Sequence, residues 1–141
     1  MKPILTKKTL NSAIKNLESG NLVIFPTETV YGIGADATNI KAIKKIYSLK
    51  KRPKNNPLIC HFKNINHVKE NFNLNKLEAK LASLFWPGPL TLILNKKKNS
   101  LIQSFLSNNQ DLVGCRVPKH EITKKILNAV KFPVTAPSAN I

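Results

Sequence analysis

Acidic residues and arginine are scarce in this sequence. It has 7 Asp and Glu against 23 Lys and Arg, a formal net charge of +16, and its only arginines are Arg52 and Arg116. No two carboxylates stand at helical or hairpin spacing, which excludes a chemistry built on paired carboxylates. The excess charge favours an anionic partner such as a nucleic acid, a nucleotide or an anionic membrane. Lysines spread along the whole chain, together with abundant Asn and Ile, equally fit compositional drift, so both origins of the charge stay open.

Long apolar runs are also missing. The longest cover residues 22–25 and 90–94, far short of the roughly 20 residues that a membrane span needs. The first 15 residues lack the apolar region and cleavage site of a secretory signal. We therefore expect a cytoplasmic protein without a membrane partner. The length of 141 residues fits one domain, 1–141, with its own hydrophobic core.

Motifs for metal binding and covalent catalysis are absent as well. Cys60 and Cys115 lie far apart in the chain, and we expect buried, reduced thiols rather than a disulfide. Because His61, His67 and His120 form no ligand set, we expect no dedicated protein metal site, and any Mg²⁺ would arrive on nucleotide phosphates. No nucleophile motif is present. The remaining side chains suit the positioning and charge stabilisation of anionic substrates.

Hydrophobic periodicity predicts helices that alternate with strands. We predict helices over residues 6–19, after an N-cap at Asn39, over 75–85 and over 121–130. Strands are predicted over residues 21–25, 57–62, 90–94, 111–117 and 133–136, and residues 26–37 are predicted as a loop. The second helix should bury Ile40, Ile43, Ile46 and Tyr47, and the third Leu77, Leu81 and Leu84. This alternation predicts the α/β class, with a sheet covered by helices.

Four polar clusters adjoin the predicted strands, namely PTETVYG, KKRPKNNP, GCRVP and TAPSAN. In open α/β sheets, ligands bind where loops diverge at the ends of strands, so we expect the clusters to form one shared site. Each cluster alone also fits a plain turn. Arg52 and Arg116 lie inside two of them. In a chain that otherwise uses lysine, we interpret them as positions that need a planar, bidentate fork for phosphate or carboxylate; a surface ion pair is the alternative.

Five motifs in a fixed order carry a family resemblance. PTETVYGIGADA, KKRPKNNPLICH, WPGPLTLIL, CRVP and APSAN resemble the YrdC/Sua5 family, also called TsaC, over residues 10–141. The resemblance implies a YrdC-like twisted, open, mixed sheet with helices packed on it. It also implies an L-threonylcarbamoyladenylate synthase, a nucleotidyltransferase that condenses L-threonine, bicarbonate and ATP into threonylcarbamoyl-AMP and pyrophosphate, with Mg²⁺ carried by ATP. A downstream transferase complex would use that product for t⁶A modification of tRNA, so tRNA or double-stranded RNA is a further implied partner.

The resemblance also assigns roles to individual residues. Lys50 and Arg52 match the K-x-R pair of the family and are the implied catalytic residues. The positions that match ATP-binding residues are Lys50, Arg52, Asn56, Leu112, Ser138 and Asn140. The positions that match threonine-binding residues are Thr29, His61, Arg116 and Ala136, with Arg116 suited to the carboxylate. Contacts from Leu112 and Ala136 would come from the backbone.

Two alternatives to the enzyme remain. Chains of the family continue past the S-A-N motif, so we expect the C-terminal part of the family fold to be missing here and the nucleotide side of the site to be open. A catalytically impaired YrdC-like module that binds nucleotide or tRNA is therefore the first alternative. A carbamoyl-transfer domain, as in hydrogenase-maturation proteins, is the second; the absence of fused zinc-finger or acylphosphatase-like segments disfavours it.

Overall fold

A computed structural model describes residues 7–26 and 30–139 of the chain. The helices in this part are α1 (Lys7–Glu18), α2 (Ile40–Lys50), α3 (Ile65–Asn71), α4 (Lys76–Phe85) and α5 (Glu121–Ala129), and a 3-10 helix covers Ser104–Ser107. The strands are β1 (Val23–Pro26), β2 (Tyr31–Asp36), β3 (Ile59–His61), β4 (Phe72–Asn73), β5 (Leu92–Lys96), β6 (Leu112–Arg116) and β7 (Val134–Thr135). No described helix combines the length and apolar character of a membrane span.

The strands form one open, mixed sheet in the order β1-β2-β7-β3-β6-β5-β4. Among the described strands, β3 and β6 are the parallel pair, with Cys60 opposite Cys115, and the other neighbours run antiparallel. Helices pack on both faces. This confirms the predicted fold class and the mixed sheet that the resemblance implies.

The two faces of the sheet are covered to different extents. One face packs under α2, α3 and α4, where Ile43, Val68 and Ala82 share a buried cluster with strand residues. On the other face, α1 and α5 cover β1, β2 and β7 through residues such as Leu17 and Ile126. The part of that second face over β3, β5 and β6 is open. Ile59, Ile93 and Leu112 are exposed there, which leaves room for a ligand site.

The prediction of a loop over residues 26–37 is wrong for residues 31–36, which form β2. Val23 lies opposite Gly34 in the antiparallel pair of β1 and β2. A Cβ on Gly34 would stand 2.3 Å from Cε1 of the buried Phe25 ring. Gly34 therefore allows a close approach of ring and backbone within a sheet, and a glycine at this position does not indicate a loop.

The predicted inward face of α4 is also wrong. Leu77 and Leu84 are 65% and 64% exposed, and Ala82 is the buried residue of this helix. Leu81 is half-buried. The leucines mark an apolar stripe, but a neighbouring stripe that contains the small Ala82 faces the core, and spacing alone cannot choose between them.

Other helix predictions are confirmed, with small differences. Asn39 caps α2 by accepting a hydrogen bond from the Ala42 backbone N–H at 3.1 Å. Gly20 follows α1 with φ +81°, the conformation that favours glycine after a helix. Ile40, predicted to be inward, is 39% exposed at the first turn of α2.

Candidate active site

A cavity of about 270 Å³ lies on the open face of the sheet. Its walls are Val30, Gly32, Arg52, Pro57, Leu58, Ile59, His61, Arg116, Ala136, Pro137 and Ser138. Ile59 and His61 contribute but Cys60 does not, because alternate residues of a strand point to opposite faces. All four polar clusters thus contribute to one cavity, the first of them through Val30 and Gly32. They meet as predicted, but over the face of the sheet rather than at the ends of its strands.

Strand pairing explains why distant segments meet here. The parallel register of β3 and β6 places His61 beside Arg116. Ala136 donates its backbone N–H to the Ile59 carbonyl at 3.2 Å, and Ser138 forms a bridge with Gly32 of β2. The segment after β7 therefore lies across the cavity between β2 and β3.

The segment after α2 folds back on Arg52. The Nε of Arg52 donates to the Asn56 carbonyl at 3.1 Å, and its Nη2 donates to Asn56 Oδ1 at 3.0 Å and to the Pro57 carbonyl at 2.6 Å. The hydroxyl of Tyr47 donates to the same Asn56 carbonyl at 2.8 Å. These bonds fix the guanidinium in the cavity wall. Asn56 thus acts here on Arg52 and does not itself line the cavity.

Sequence reasoning missed the role of Tyr47, which it placed in the core by helical spacing. Burial raises the pKa of the Tyr47 phenol, while the charge of the nearby Arg52 opposes that shift. The hydroxyl therefore stays protonated and can donate. No pattern in the sequence predicts the hydrogen bond from Tyr47 to Asn56, because it depends on how residues 51–57 turn after the helix.

Lys50 lies beside the cavity rather than in its wall. Its Nζ donates to the Ser138 carbonyl at 2.5 Å. This contact ties the last turn of α2 to the segment that follows β7. Of the two residues of the K-x-R pair, Arg52 lines the cavity and Lys50 contacts a residue that does.

His61 and Arg116 are buried polar residues at the other side of the cavity, 3% and 9% exposed. Arg116 Nε donates to the Gly88 carbonyl at 3.4 Å, so the WPGP segment holds the guanidinium. A Cβ on Gly88 would lie 2.5 Å from the Phe85 carbonyl oxygen. This close approach explains why position 88 is a glycine. His61 Nδ1 lies 3.3 Å from the Val134 carbonyl, a hydrogen bond for the tautomer that carries its hydrogen on Nδ1.

The described wall of the cavity is positively charged. Arg52 and Arg116 both contribute to it, and none of its residues is acidic. Because buried guanidinium groups need anionic or polar partners, the site suits a phosphate or a carboxylate.

The remaining predicted site residues are distributed as follows. Ala136 and Ser138 line the cavity. Leu112 is 53% exposed at the far end of β6 and is not part of the wall. Thr29 and Asn140 lie outside the described residues.

The two thiols are free and buried, as expected. Burial raises the pKa of Cys60 to about 12 and raises that of Cys115 as well. Both thiols therefore stay protonated, a state in which cysteine is a poor nucleophile. Within residues 7–26 and 30–139, no three His, Cys, Asp or Glu side chains are grouped as metal ligands would be.

Comparison with known proteins places the chain among named relatives. The Sua5/YciO/YrdC family, described as "Telomere recombination", matches residues 15–141. Threonylcarbamoyl-AMP synthases of Pyrococcus abyssi and Bacillus subtilis are 43% and 41% identical over 126 residues, 89% of this chain. This chain spans only 36% of the length of each. A threonylcarbamoyl-AMP synthase of Aliivibrio fischeri is 34% identical, and the match covers 95% of this chain and 73% of that relative.

Solved structures have the same fold. Sua5 of P. abyssi, complexed with L-threonine, matches 98% of this chain and 40% of its own, with a TM-score of 0.90 and 40% identity. YciO of E. coli matches 96% of this chain and 65% of its own with a TM-score of 0.83 at 19% identity, a likeness of fold alone. By its sequence match over residues 15–141 and its fold, this chain belongs to the Sua5/YciO/YrdC family.

Proposed function

We propose that the chain binds L-threonine and ATP in this cavity and condenses them with bicarbonate into threonylcarbamoyl-AMP, releasing pyrophosphate. The observation that carries the proposal is the meeting of both arginines of the chain in one cavity, with no acidic side chain among the wall residues that the structure describes. The names of the relatives support it. Because the chain spans 36% of the length of the first of these relatives, the activity of a whole synthase is part of the proposal.

The threonine would bind near His61 and Arg116. The guanidinium of Arg116 is buried, and its Nε donates to a backbone carbonyl. This contact orients the planar group in the wall, and a guanidinium is the side chain best matched to a carboxylate. His61 and Ala136 belong to the same wall. The L-threonine complex of P. abyssi Sua5 concerns that protein and supports the same class of ligand here.

The nucleotide would bind at the opposite side, near Arg52 and Ser138. The segment that carries Arg52 leads into β3 at Ile59, whereas His61 ends that strand beside Arg116. The two sides of the cavity therefore lie towards opposite ends of β3. Lys50 contacts Ser138 and adds positive charge to the phosphate side, where Mg²⁺ would arrive on ATP.

The chemistry needs charge stabilisation more than it needs a nucleophile. The amine of threonine adds to bicarbonate with loss of water to give a carbamate. A carbamate oxygen then attacks the α-phosphorus of ATP, and the bond to the β-phosphate oxygen breaks as pyrophosphate leaves. Arg52 and Lys50 would stabilise the negative charge that builds on the phosphates. The protonated thiols take no part.

The downstream role follows from the product. Threonylcarbamoyl-AMP is an activated acyl donor, and we propose that a separate transferase uses it for t⁶A modification of tRNA. Nucleotide or RNA binding without synthesis remains the second candidate, which the net charge of +16 favours.

Replacement of Arg52 by alanine discriminates the two candidates. The Arg52→Ala chain should lose threonylcarbamoyl-AMP formation. Its affinity for RNA should fall only slightly, because the number of phosphate contacts that sets the salt dependence of binding falls by about one. Lys80→Ala, at an exposed position of α4, is the matched control. Product formation that survives Arg52→Ala would contradict the proposed role of this residue.

A further inference from the structure

A second cavity shares Arg52 with the candidate active site. Its volume is about 300 Å³, and its walls are Lys44, Tyr47, Ser48, Arg52, Lys54 and Phe105; we name it the Lys44–Lys54 notch. Arg52 is the one residue that appears in both described walls. The two cavities therefore border the same residue.

Helical spacing and one aromatic ring build the notch. Lys44, Tyr47 and Ser48 lie on one face of α2 because residues three and four apart are neighbours. The ammonium of Lys44 lies 5.4 Å from the centroid of the Phe105 ring, a cation–π distance. The Tyr47 ring meets the same ring edge-on, with centroids 5.3 Å apart. Phe105 thus holds Lys44 in the wall, and its ring already contacts both Lys44 and Tyr47.

The notch carries more positive charge than its surroundings neutralise. Lys44, Arg52 and Lys54 contribute three cations, and none of the described wall residues is acidic. The nearby end of α2 supplies about half a negative charge. Its carbonyls are partly satisfied, because the backbone N–H groups of Lys51 and Arg52 donate to those of Ser48 and Tyr47. A surplus of positive charge remains for an anion.

The guanidinium of Arg52 has more donors than its described contacts use. Its Nε and Nη2 hold Asn56 and Pro57 through three hydrogen bonds, and the Tyr47 hydroxyl also interacts with it. A guanidinium has five N–H donors. A guanidinium can donate along more than one edge, so Arg52 can keep the segment in place and still bind an anion.

We propose that the Lys44–Lys54 notch is a second anion site that takes a compact ligand of linked phosphate groups, with pyrophosphate as the simplest case. Lys44 comes from α2, and Arg52 and Lys54 come from the segment that follows it, so three cationic residues border one small cavity, which suits a compact polyanion. The Phe105 ring is engaged with Lys44 and Tyr47, which disfavours a stacked nucleobase. Where the proposed function also holds, the notch receives the leaving pyrophosphate across Arg52; the binding itself does not depend on that reaction.

A titration with sodium pyrophosphate, followed by backbone amide NMR of the full 141-residue chain, tests the site directly. We expect the amides of residues 44–54 and of Phe105 to shift with a common midpoint. The double variant Lys44→Gln/Lys54→Gln should weaken this binding by about tenfold or more, because each ammonium donates a charge-assisted hydrogen bond. Lys69→Gln/Lys80→Gln removes the same charge from exposed positions elsewhere and should leave the midpoint unchanged.

Three results would overturn the inference. The first is an absence of pyrophosphate-dependent shifts near the notch. Shifts confined to His61, Arg116 and Ser138 would count as this result, since they would place pyrophosphate in the first cavity and leave the proposed function intact. The second is an equal loss of pyrophosphate affinity in the two double variants, which would show that the affinity depends on the net charge of the chain and not on the notch. The third is tighter binding of a single-stranded RNA than of pyrophosphate, lost in the notch variant, which would assign the notch to a nucleic-acid backbone. Pyrophosphate binding at the notch in a chain that makes no product would instead contradict only the proposed function.

Discussion

Arg52 and Arg116 occupy different environments although both line the cavity. Arg116 is 9% exposed and donates to the Gly88 carbonyl. Arg52 is half-buried and is held by the segment that follows it. Arg52 uses its Nε and Nη2 at once, and Arg116 donates from its Nε within the sheet; a lysine has no planar group that can reproduce either geometry. This accounts for arginine at these two positions in a lysine-rich chain.

Arg116→Lys tests the assignment of the threonine side. The substitution keeps the charge but removes the fork, so the Kd for L-threonine should rise by about tenfold or more, the worth of a bidentate charge-assisted pair. The Kd for ATP should change little. Calorimetric titration of each substrate separately measures both values.

The reciprocal variant supplies the control. Arg52→Lys should weaken ATP binding and leave threonine binding near its original value. A loss of ATP affinity with unchanged threonine affinity in Arg116→Lys would reverse the assignment of the two sides.

His67 gives the fold a dependence on pH. The ring is 7% exposed, and its Nδ1 has no hydrogen-bond partner within the described residues. Burial lowers the pKa of His67, Lys63 lowers it further, and Glu70 opposes the shift. The folded state therefore binds its proton less readily than the unfolded state, whose pKa is about 6.5.

The sign of the effect follows from proton linkage. Below about pH 6.5 the unfolded state gains a proton that the folded state lacks, so the free energy of unfolding should fall as the pH is lowered until the folded-state pKa is passed. Urea denaturation between pH 5 and 8 measures this slope. In His67→Leu the slope should be shallower, and an unchanged slope would show that His67 is not the group responsible.

At the scale of elements, the sequence predicted long, periodic segments and missed short ones. The helices after Asn39 and over 121–130 have clear apolar faces and were found close to their observed ends. The seven-residue α3 and the two-residue β4 carry too few residues for a period to emerge. The error over β2 came from glycine, which favours a loop unless a bulky neighbour such as Phe25 needs the space.

Gly34→Ala tests that explanation for β2. The new methyl group would enter the Phe25 ring, which is 1% exposed and cannot move aside. We expect the free energy of unfolding to fall by about 1–3 kcal/mol, as for other overpacked cores. Denaturant unfolding of the purified variant measures the change.

Gly114→Ala is the matched control in the same sheet. Its nearest neighbour would be Ile59 Cγ1 at 3.3 Å, and Ile59 is 37% exposed and can shift. The loss should therefore be smaller than at Gly34. Equal losses for the two variants would contradict the packing argument.

At the scale of the whole molecule, the candidate site depends on contacts that the sequence only partly reveals. The clusters around Arg52, Arg116 and Ser138 were predictable, because polar residues adjoining buried strands meet in an open sheet. The contacts of Tyr47 with Asn56 and of Arg116 with Gly88 join segments whose approach is set by tertiary packing. Periodicity and motif spacing contain no information on such pairs.

The candidate site lies on the open face of the sheet in a chain that is strongly basic as a whole. The net charge of +16 attracts any polyanion, so affinity for ATP or RNA alone does not identify a synthase. What distinguishes the proposed function is a covalent product that requires both sides of the cavity.

The most direct measurement is therefore product formation by the purified 141-residue chain supplied with ATP, Mg²⁺, L-threonine and labelled bicarbonate. The account predicts labelled threonylcarbamoyl-AMP with an equal amount of pyrophosphate, dependent on threonine and abolished in Arg52→Ala. A folded chain that binds ATP or RNA but forms no labelled product would contradict the account and leave a binding module.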